Sequence, residues 1–121
     1  MFDVVISYSV FTHLVRDVQE SWLQEMKRIM MPGGLFFASC HGDFATSFSP
    51  AHVQKEVTNI GISDSSLDPN LDGIAPAGYY RGVFQSRSYT MKEWGKHFRI
   101  LDYIDRGMGN FQDLVIMQKE K

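Results

Sequence analysis

The sequence predicts an α/β protein, and three observations lead to this fold class. Two predicted strands, 2–8 and 35–40, contain the continuous apolar runs 4–6 and 35–38, which are typical of strands buried on both faces of a parallel sheet. Between them, apolar side chains recur every three or four positions, as on one face of a helix. Residues 99–118 contain two strand-like runs joined by a short turn, which requires antiparallel pairing. The expected order is β-α-β, an insertion, and α-β-β.

The β-α-β unit is predicted over residues 1–42, with its helix over 17–30. Thr12 or Asp17 is suited to begin this helix, and the run 32–34, Pro-Gly-Gly, is expected to end it before the second strand. The apolar face is predicted to consist of Val18, Trp22, Leu23, Met26, Ile29 and Met30. The opposite, solvent-facing side is predicted to consist of Gln19, Glu20, Gln24, Glu25, Lys27 and Arg28.

Residues 43–85 are predicted to form a lid or insertion, because Ser, Gly, Pro and Asp are frequent there and a structureless loop of this length would be unusual. Ser49 is a suitable N-cap for a helix that ends at Gly61. The buried face of that helix is expected to include Val53, Val57 and Ile60. The following segment, 64–78, is predicted to be an irregular loop.

The last unit is predicted over 86–121 as a helix followed by a β-hairpin. Thr90 and Glu93 have the spacing of a capping box, and Trp94 and Phe98 continue a buried face. Strands are expected over 99–104 and 111–118. Since no helix follows the Gly-Met-Gly run between them, we interpret those glycines as turn residues and not as a phosphate-binding loop.

Composition indicates one soluble globular domain. The 121 residues are 44% hydrophobic and 21% charged with a formal net charge of −2, and no cluster of Lys and Arg indicates nucleic-acid binding. No apolar run is long enough to cross a membrane, and no leader peptide is recognised. The single cysteine, Cys40, excludes an intramolecular disulfide, so we expect a reducing, cytoplasmic compartment. The histidines and Cys40 lack metal-ligand spacing, and no metal is expected.

Two segments of the sequence resemble the C-terminal half of class I S-adenosylmethionine-dependent methyltransferases. They are FDVVISYSVFTHL…WLQEMKRIMMPGGLFFAS and, near the end, WGKHFRILDYIDRGMGNFQDLVIMQK. The resemblance implies a partial Rossmann-like sheet in which a terminal antiparallel hairpin places the last strand inside an otherwise parallel sheet. In that family a glycine-rich turn after the first strand and an acidic residue after the second hold the cofactor. Neither can be placed here, and the chain is therefore expected to begin in the middle of the fold.

The resemblance also implies candidate cofactor-binding residues. In the family, the loop after the fourth strand lies against the methionine part and the methyl group of S-adenosylmethionine. Here that loop supplies Tyr8, Ser9 and His13. Ligands of open α/β sheets bind beyond the carboxyl ends of the strands, which agrees with this position. A purely structural role of the loop residues in packing and capping is the alternative.

His41 follows the second strand of the crossover and is the candidate catalytic residue, a general base toward an acceptor hydroxyl or amine. A backbone-bonded histidine in a loop is the alternative. Tyr79, Tyr80 and Arg81 are candidate substrate-binding residues, because aromatic rings beside a cation suit a planar or anionic acceptor. The same three residues could instead attach the insertion to the domain.

Taken together, the sequence predicts an S-adenosylmethionine-dependent methyltransferase fragment or truncated relative that acts on a small-molecule acceptor and is inactive as an isolated chain. A non-enzymatic α/β module that dimerises through its open sheet edge is the alternative. The expected partner is accordingly a second copy of the chain, or an N-terminal half that supplies the missing strands. A dehydrogenase half of similar shape is a third interpretation, which the family resemblance of the Pro-Gly-Gly run and the closing hairpin disfavours.

Overall fold

The computed structural model describes residues 1–67 and 81–121. Its element order is β1 (Phe2–Ser7), a 3-10 turn (Phe11–His13), α1 (Arg16–Ile29), β2 (Met30–Cys40), α2 (Asp43–Thr46), α3 (Ala51–Ile60), β3 (Ile62–Leu67), β4 (Arg81–Gln85), α4 (Arg87–Trp94), β5 (Arg99–Met108) and β6 (Gln112–Gln118). A four-stranded sheet has the order β1-β2-β6-β5, and β3 and β4 form a separate two-stranded sheet. No helix among the described residues is long and apolar enough to cross a membrane.

The sheet confirms the predicted partial Rossmann-like architecture. β1 and β2, which precede and follow α1 in the sequence, pair in parallel, as a β-α-β crossover requires. β6 lies between β2 and β5 and is antiparallel to both. The terminal hairpin therefore inserts its last strand beside β2. In consequence, the start of β6 lies at the same edge of the sheet as the carboxyl ends of β1 and β2.

β2 is longer than the sequence pattern predicts, because it begins at Met30 and includes the Pro-Gly-Gly run. The register with β1 passes from Phe2↔Met30 to Val4↔Leu35, so the run forms an irregularity within the strand. A Cβ on Gly34 would lie 3.0 Å from the carbonyl oxygen of Asp3. Glycine at this position therefore lets the two strands approach each other closely.

The prediction that β1 is buried on both faces was wrong. Phe2, Val4 and Ile6 are 58%, 50% and 60% exposed. Within the described residues β1 pairs with β2 alone, and only the face that carries its alternate side chains joins the core. The core lies between that face and α1, α4 and the 3-10 turn, and its buried members are Phe11, Leu23, Met30, Phe36, Ala38, Cys40, Trp94, Phe98, Tyr103, Val115 and Met117.

Gln19, predicted on the solvent side of α1, is 2% exposed. Its amide nitrogen donates to the carbonyl oxygens of Phe11 and Leu14 and to Gln85 Oε1, at 3.3, 3.0 and 2.8 Å. Its carbonyl oxygen accepts the indole N–H of Trp94 at 3.2 Å. One side chain therefore joins α1 to the 3-10 turn, β4 and α4.

The helix starts also differ from the sequence expectation. The N-cap of α1 is Val15, without a side-chain hydrogen bond, so neither Thr12 nor Asp17 caps it. The N-cap of α3 is Pro50, also without a side-chain bond, although Gly61 ends α3 in a left-handed conformation as predicted. α4 begins earlier than the Thr90 capping box implied, because Ser86 Oγ accepts the backbone N–H of Tyr89 at 3.1 Å.

The predicted insertion contains more regular structure than expected. The segment predicted to be a loop from residue 64 instead begins within β3, which pairs with β4 in an antiparallel ladder. Val53 and Val57 of α3 are buried, as predicted, whereas Ile60 is largely exposed. A salt bridge between Arg16 and Asp64, with guanidinium and carboxylate atoms 2.9 Å apart, ties β3 to the start of α1.

We expect Gln19→Ala to lower the free energy of unfolding by about 2–3 kcal/mol, because the Trp94 N–H and the Gln85 amide oxygen would remain buried without their partner. Urea unfolding followed by circular dichroism measures this loss. Gln24→Ala is the matched control, since Gln24 is exposed on the same helix and should change stability by less than about 0.5 kcal/mol. Equal effects of the two substitutions would contradict the role of the network.

Candidate active site at the carboxyl ends of two parallel strands

The loop after β1 is attached to β2 and β6 by a closed set of hydrogen bonds. The Ser9 backbone N–H donates to Ser39 Oγ at 2.8 Å, Ser39 Oγ donates to Gln112 Oε1 at 2.7 Å, and the Gln112 amide donates back to Ser9 Oγ at 2.9 Å. Ser9 has a φ of 59°, which is uncommon for a residue other than glycine. Such conformations persist where surrounding contacts hold them, and they are frequent at functional sites.

The other two loop residues predicted to bind cofactor lie in different environments. Tyr8 is 41% exposed at the end of β1. His13, the last residue of the 3-10 turn, has its Nδ1 3.1 Å from the carbonyl oxygen of Arg81, so its ring is directed to β4. The structure therefore brings Ser9 together with β2 and β6, and it connects His13 to the β3–β4 sheet.

Ser7 is a polar residue at this edge that the sequence reasoning did not single out. It is the last residue of β1 and is 7% exposed, and its hydroxyl has no hydrogen-bond partner among the described residues. A buried hydroxyl of this kind is costly unless a partner is supplied. Its position at the end of an apolar strand is the signal that could have identified it.

His41 lies directly after β2, where its ring stacks on Phe84 with the centroids 4.8 Å apart. Phe111 approaches it edge-on, with the centroids 5.9 Å apart. The His41 carbonyl oxygen accepts the backbone N–H of Gln85 at 2.9 Å, which attaches the end of β2 to the end of β4. The imidazole is therefore held between two aromatic rings at the same edge of the sheet as Ser9.

A buried hydrogen-bonded pair, Tyr103 and Asp113, lies next to this edge of the sheet. The Tyr103 hydroxyl donates to the Asp113 carboxylate, which also accepts the Arg106 backbone N–H at 2.9 Å. A methyl group added to Gly42 would overlap that carboxylate, so glycine is required beside it. Burial raises the pKa of Tyr103, and the neighbouring Cys40 and Asp113 raise it further.

The predicted substrate-binding residues are described only in part. Tyr79 and Tyr80 lie outside the described residues. Arg81 begins β4, and its guanidinium is 3.4 Å from the Ser65 carbonyl oxygen. It lines an open depression of about 340 Å³ beside the start of α1, and Phe84, Phe111 and His41 are not among the described residues that line this depression.

Three phenylalanines that the sequence analysis did not select extend the aromatic surface around His41. The ring centroids of Phe44 and Phe48 are 5.1 Å apart, and each lies 6.1 Å from the centroid of Phe111. The Arg106 guanidinium lies over the Phe44 ring, 4.6 Å from its centroid. Because these residues come from α2, the segment after it and the terminal hairpin, no local sequence pattern joins them.

Two further sequence predictions concern the Gly-Met-Gly run and metal binding. The Gly107-Met108-Gly109 run belongs to the β5–β6 hairpin, where Gly109 has a φ of 63°, as a turn residue would. No group of three or more His, Cys, Asp or Glu side chains in the described part of the chain is arranged to hold a metal ion.

Residues 1–38 match the family model described as a methyltransferase domain. This match covers β1, α1 and most of β2, which are the elements that present Tyr8 and Ser9. No curated protein matches the sequence significantly.

Three solved structures share the fold. The pyocyanin biosynthetic protein PhzM matches 97% of this chain with a TM-score of 0.57 and 14% identity. Human N-acetylserotonin methyltransferase in complex with S-adenosylmethionine matches 98% with a TM-score of 0.58 and 13% identity. An S-adenosylmethionine-dependent methyltransferase from Methanosarcina mazei matches 98% with a TM-score of 0.62 and 14% identity.

The chain spans 30%, 30% and 59% of the lengths of these three proteins. Its fold is similar to that of class I methyltransferases, as the sequence resemblance predicted. At these identities the structural matches establish the fold alone.

Burial, together with the nearby Asp113 carboxylate, raises the pKa of the Cys40 thiol to about 12. We therefore expect Cys40 to resist an aromatic disulfide reagent at mildly alkaline pH in the folded protein and to react fully in urea. Because the folded pKa is raised, the thiol contributes stability below its unfolded pKa of about 8.5, and this contribution is lost as the pH rises toward the folded value. Equal labelling rates in the folded and unfolded states would contradict this description of Cys40.

Proposed function

We propose that this chain is part of an S-adenosylmethionine-dependent methyltransferase that transfers a methyl group to a small-molecule acceptor. The observation that supports this most is the position of the hydrogen-bonded Ser9 loop beside His41, at the carboxyl ends of adjacent parallel strands in a methyltransferase-like sheet. Ligands of open α/β sheets bind at such edges.

The residues at the end of β1 fit the methionine part of the cofactor. The Ser7 hydroxyl is buried without a partner among the described residues, and Tyr8 is exposed beside it. We propose that Tyr8, Ser9 and His13 contact the cofactor, with Ser9 held in place by Ser39 and Gln112 and with His13 directed toward β4. When bound, S-adenosylmethionine supplies an electrophilic methyl group on a sulfonium centre.

His41 is the proposed general base for the acceptor. Its ring lies at the sheet edge between Phe84 and Phe111, so an acceptor atom there would be shielded from water on two sides. Methyl transfer by displacement depends mainly on aligning donor and acceptor, and a base is needed only when the acceptor carries a proton. Arg81, together with Tyr79 and Tyr80, remains the proposed substrate-binding group from the insertion.

The isolated chain is proposed to be catalytically inactive. In residues 1–67 and 81–121 no glycine-rich turn leads from a strand into a helix, the arrangement that holds a dinucleotide-like cofactor by its backbone. The ribose and adenine contacts would then come from a further part of the fold. The free, buried Cys40 supports the proposal of a reducing, cytoplasmic compartment.

Titration of 15N-labelled protein with S-adenosylhomocysteine tests the cofactor assignment. We expect weak, millimolar-range binding with amide shift changes concentrated in residues 7–13 and 41–42, and no methyl transfer from a labelled donor. Ser9→Ala should weaken binding several-fold, because the hydrogen bond from the Gln112 amide to Ser9 Oγ would be lost. Ser21→Ala should leave binding unchanged, because Ser21 is exposed on α1. The absence of shifts at this edge would overturn the cofactor assignment, and turnover would overturn the proposed inactivity.

A second candidate function, a non-enzymatic module that dimerises, is favoured by the side of the sheet that residues 1–67 and 81–121 leave uncovered. Ile6, Phe37 and Ile116 lie directly opposite one another across three strands, on the face away from the core. Val4 and Phe2 extend this apolar row along the edge of β1, which pairs with no second strand among the described residues. An apolar face continuous with an unpaired strand edge is a site for association with a second copy.

Sedimentation at micromolar concentration tests this candidate. We expect a dimer for the unaltered chain and a monomer for Ile6→Lys, because the charge would be desolvated in the interface. Ile60→Lys is the matched control, since Ile60 on α3 is 54% exposed and comparable with Ile6, and it should leave the dimer intact. A monodisperse monomer for the unaltered chain would exclude this function.

A further inference from the structure

We infer that Phe44, Phe48, Phe111 and Arg106 form a subsite for a planar aromatic acceptor that carries an anionic group. This inference rests on the proposed methyltransferase function and adds to it the chemical class of the acceptor. The subsite is continuous with His41, the proposed base, through the contact between Phe111 and the imidazole ring.

The three phenylalanine rings form a triangle that is open to solvent. Phe44, Phe48 and Phe111 contact one another with centroid distances of 5.1–6.1 Å. Phe48 is nevertheless 70% exposed and Phe111 is 38% exposed. Contiguous aromatic side chains that remain this exposed are characteristic of binding surfaces, because a packed core would bury them.

The location of the triangle favours a small acceptor. It adjoins the edge at which Ser9, His41 and Gly42 lie, and Phe111 directly precedes Gln112, which is bonded to Ser9. A planar ring that stacks on the open faces of Phe48 and Phe111 would extend toward His41. Stacking of this kind favours a flat π-system over a saturated ring.

Arg106 adds the preference for an anion. Its guanidinium stacks on Phe44, which leaves the N–H groups on the edge of the plane for a ligand. Asp105 and Asp113 have other partners: the Asp105 carboxylate lies 3.4 Å from the Arg87 guanidinium, and Asp113 accepts the Tyr103 hydroxyl and the Arg106 backbone N–H. No carboxylate among the described residues pairs with the Arg106 guanidinium, so a ligand carboxylate can form the bidentate contact.

Calorimetric titration with naphthoate, naphthalene methanol and cyclohexanecarboxylate tests each part of the inference. We expect naphthoate to bind best, because it alone combines a planar ring with an anion. Phe48→Ala should weaken naphthoate binding roughly tenfold, and Phe111→Ala should act in the same direction. Arg106→Gln should weaken naphthoate binding about fivefold and leave naphthalene methanol unchanged.

Phe2→Ala is the matched control, since Phe2 is similarly exposed but lies on β1 in the uncovered apolar face. It should leave naphthoate binding unchanged. Circular dichroism checks that each variant folds. If Phe48→Ala does not fold, Phe111→Ala is used in its place. The inference would be overturned if naphthoate did not bind, or if Phe2→Ala weakened naphthoate binding as much as Phe48→Ala. It would also be overturned if Phe48 were buried by dimer formation and not by a bound ligand. Because S-adenosylhomocysteine binding is measured separately, loss of the cofactor assignment remains distinguishable from loss of this subsite.

Discussion

The hydrogen bonds of the buried Gln19 amide are the interaction on which the sheet edge at Ser9 and His41 depends. It joins α1 to Gln85 and Trp94, and the Gln85 backbone in turn donates to the carbonyl oxygen of His41. Gln85 also donates to Thr90, so the ends of β4 and α4 are held in one network. A buried polar network is costly unless every member is satisfied, and this requirement restricts the position of β4 relative to β2. The stacking of Phe84 on His41 follows from that position.

Much of the fold could be predicted because its signals are local. Apolar runs and helical spacing identified β1, α1 and β2, and the turn at Gly109 identified the closing hairpin. The position of β6 between β2 and β5 came from the family resemblance, since no local pattern specifies which strands become neighbours. Capping was predicted poorly because α1 and α3 begin at Val15 and Pro50 without a side-chain cap, so the expected polar N-cap signal does not mark their starts.

The site itself was only partly predictable. The common position of Ser9 and His41 at one sheet edge was predictable because each follows a parallel strand, whereas their role in a site stays a prediction. Gln19 was assigned to solvent by periodicity, because its partners Gln85 and Trp94 are 66 and 75 residues away. The Phe44, Phe48 and Phe111 triangle likewise depends on the terminal hairpin returning to the sheet edge. Long-range contacts of this kind have no signature in a single sequence window.

The antiparallel insertion of β6 has a consequence for the order in which the protein is made. Gln112, which completes the hydrogen bonds of the Ser9 loop, is 103 residues further along the chain. During synthesis, β1, α1 and β2 therefore leave the ribosome long before the strand that fixes their edge. The nascent chain must keep the apolar strands β1 and β2 from pairing with other polypeptides during this interval. Rapid elongation or chaperone protection over the stretch between β2 and β6 would thus affect the yield of folded protein more than its final stability.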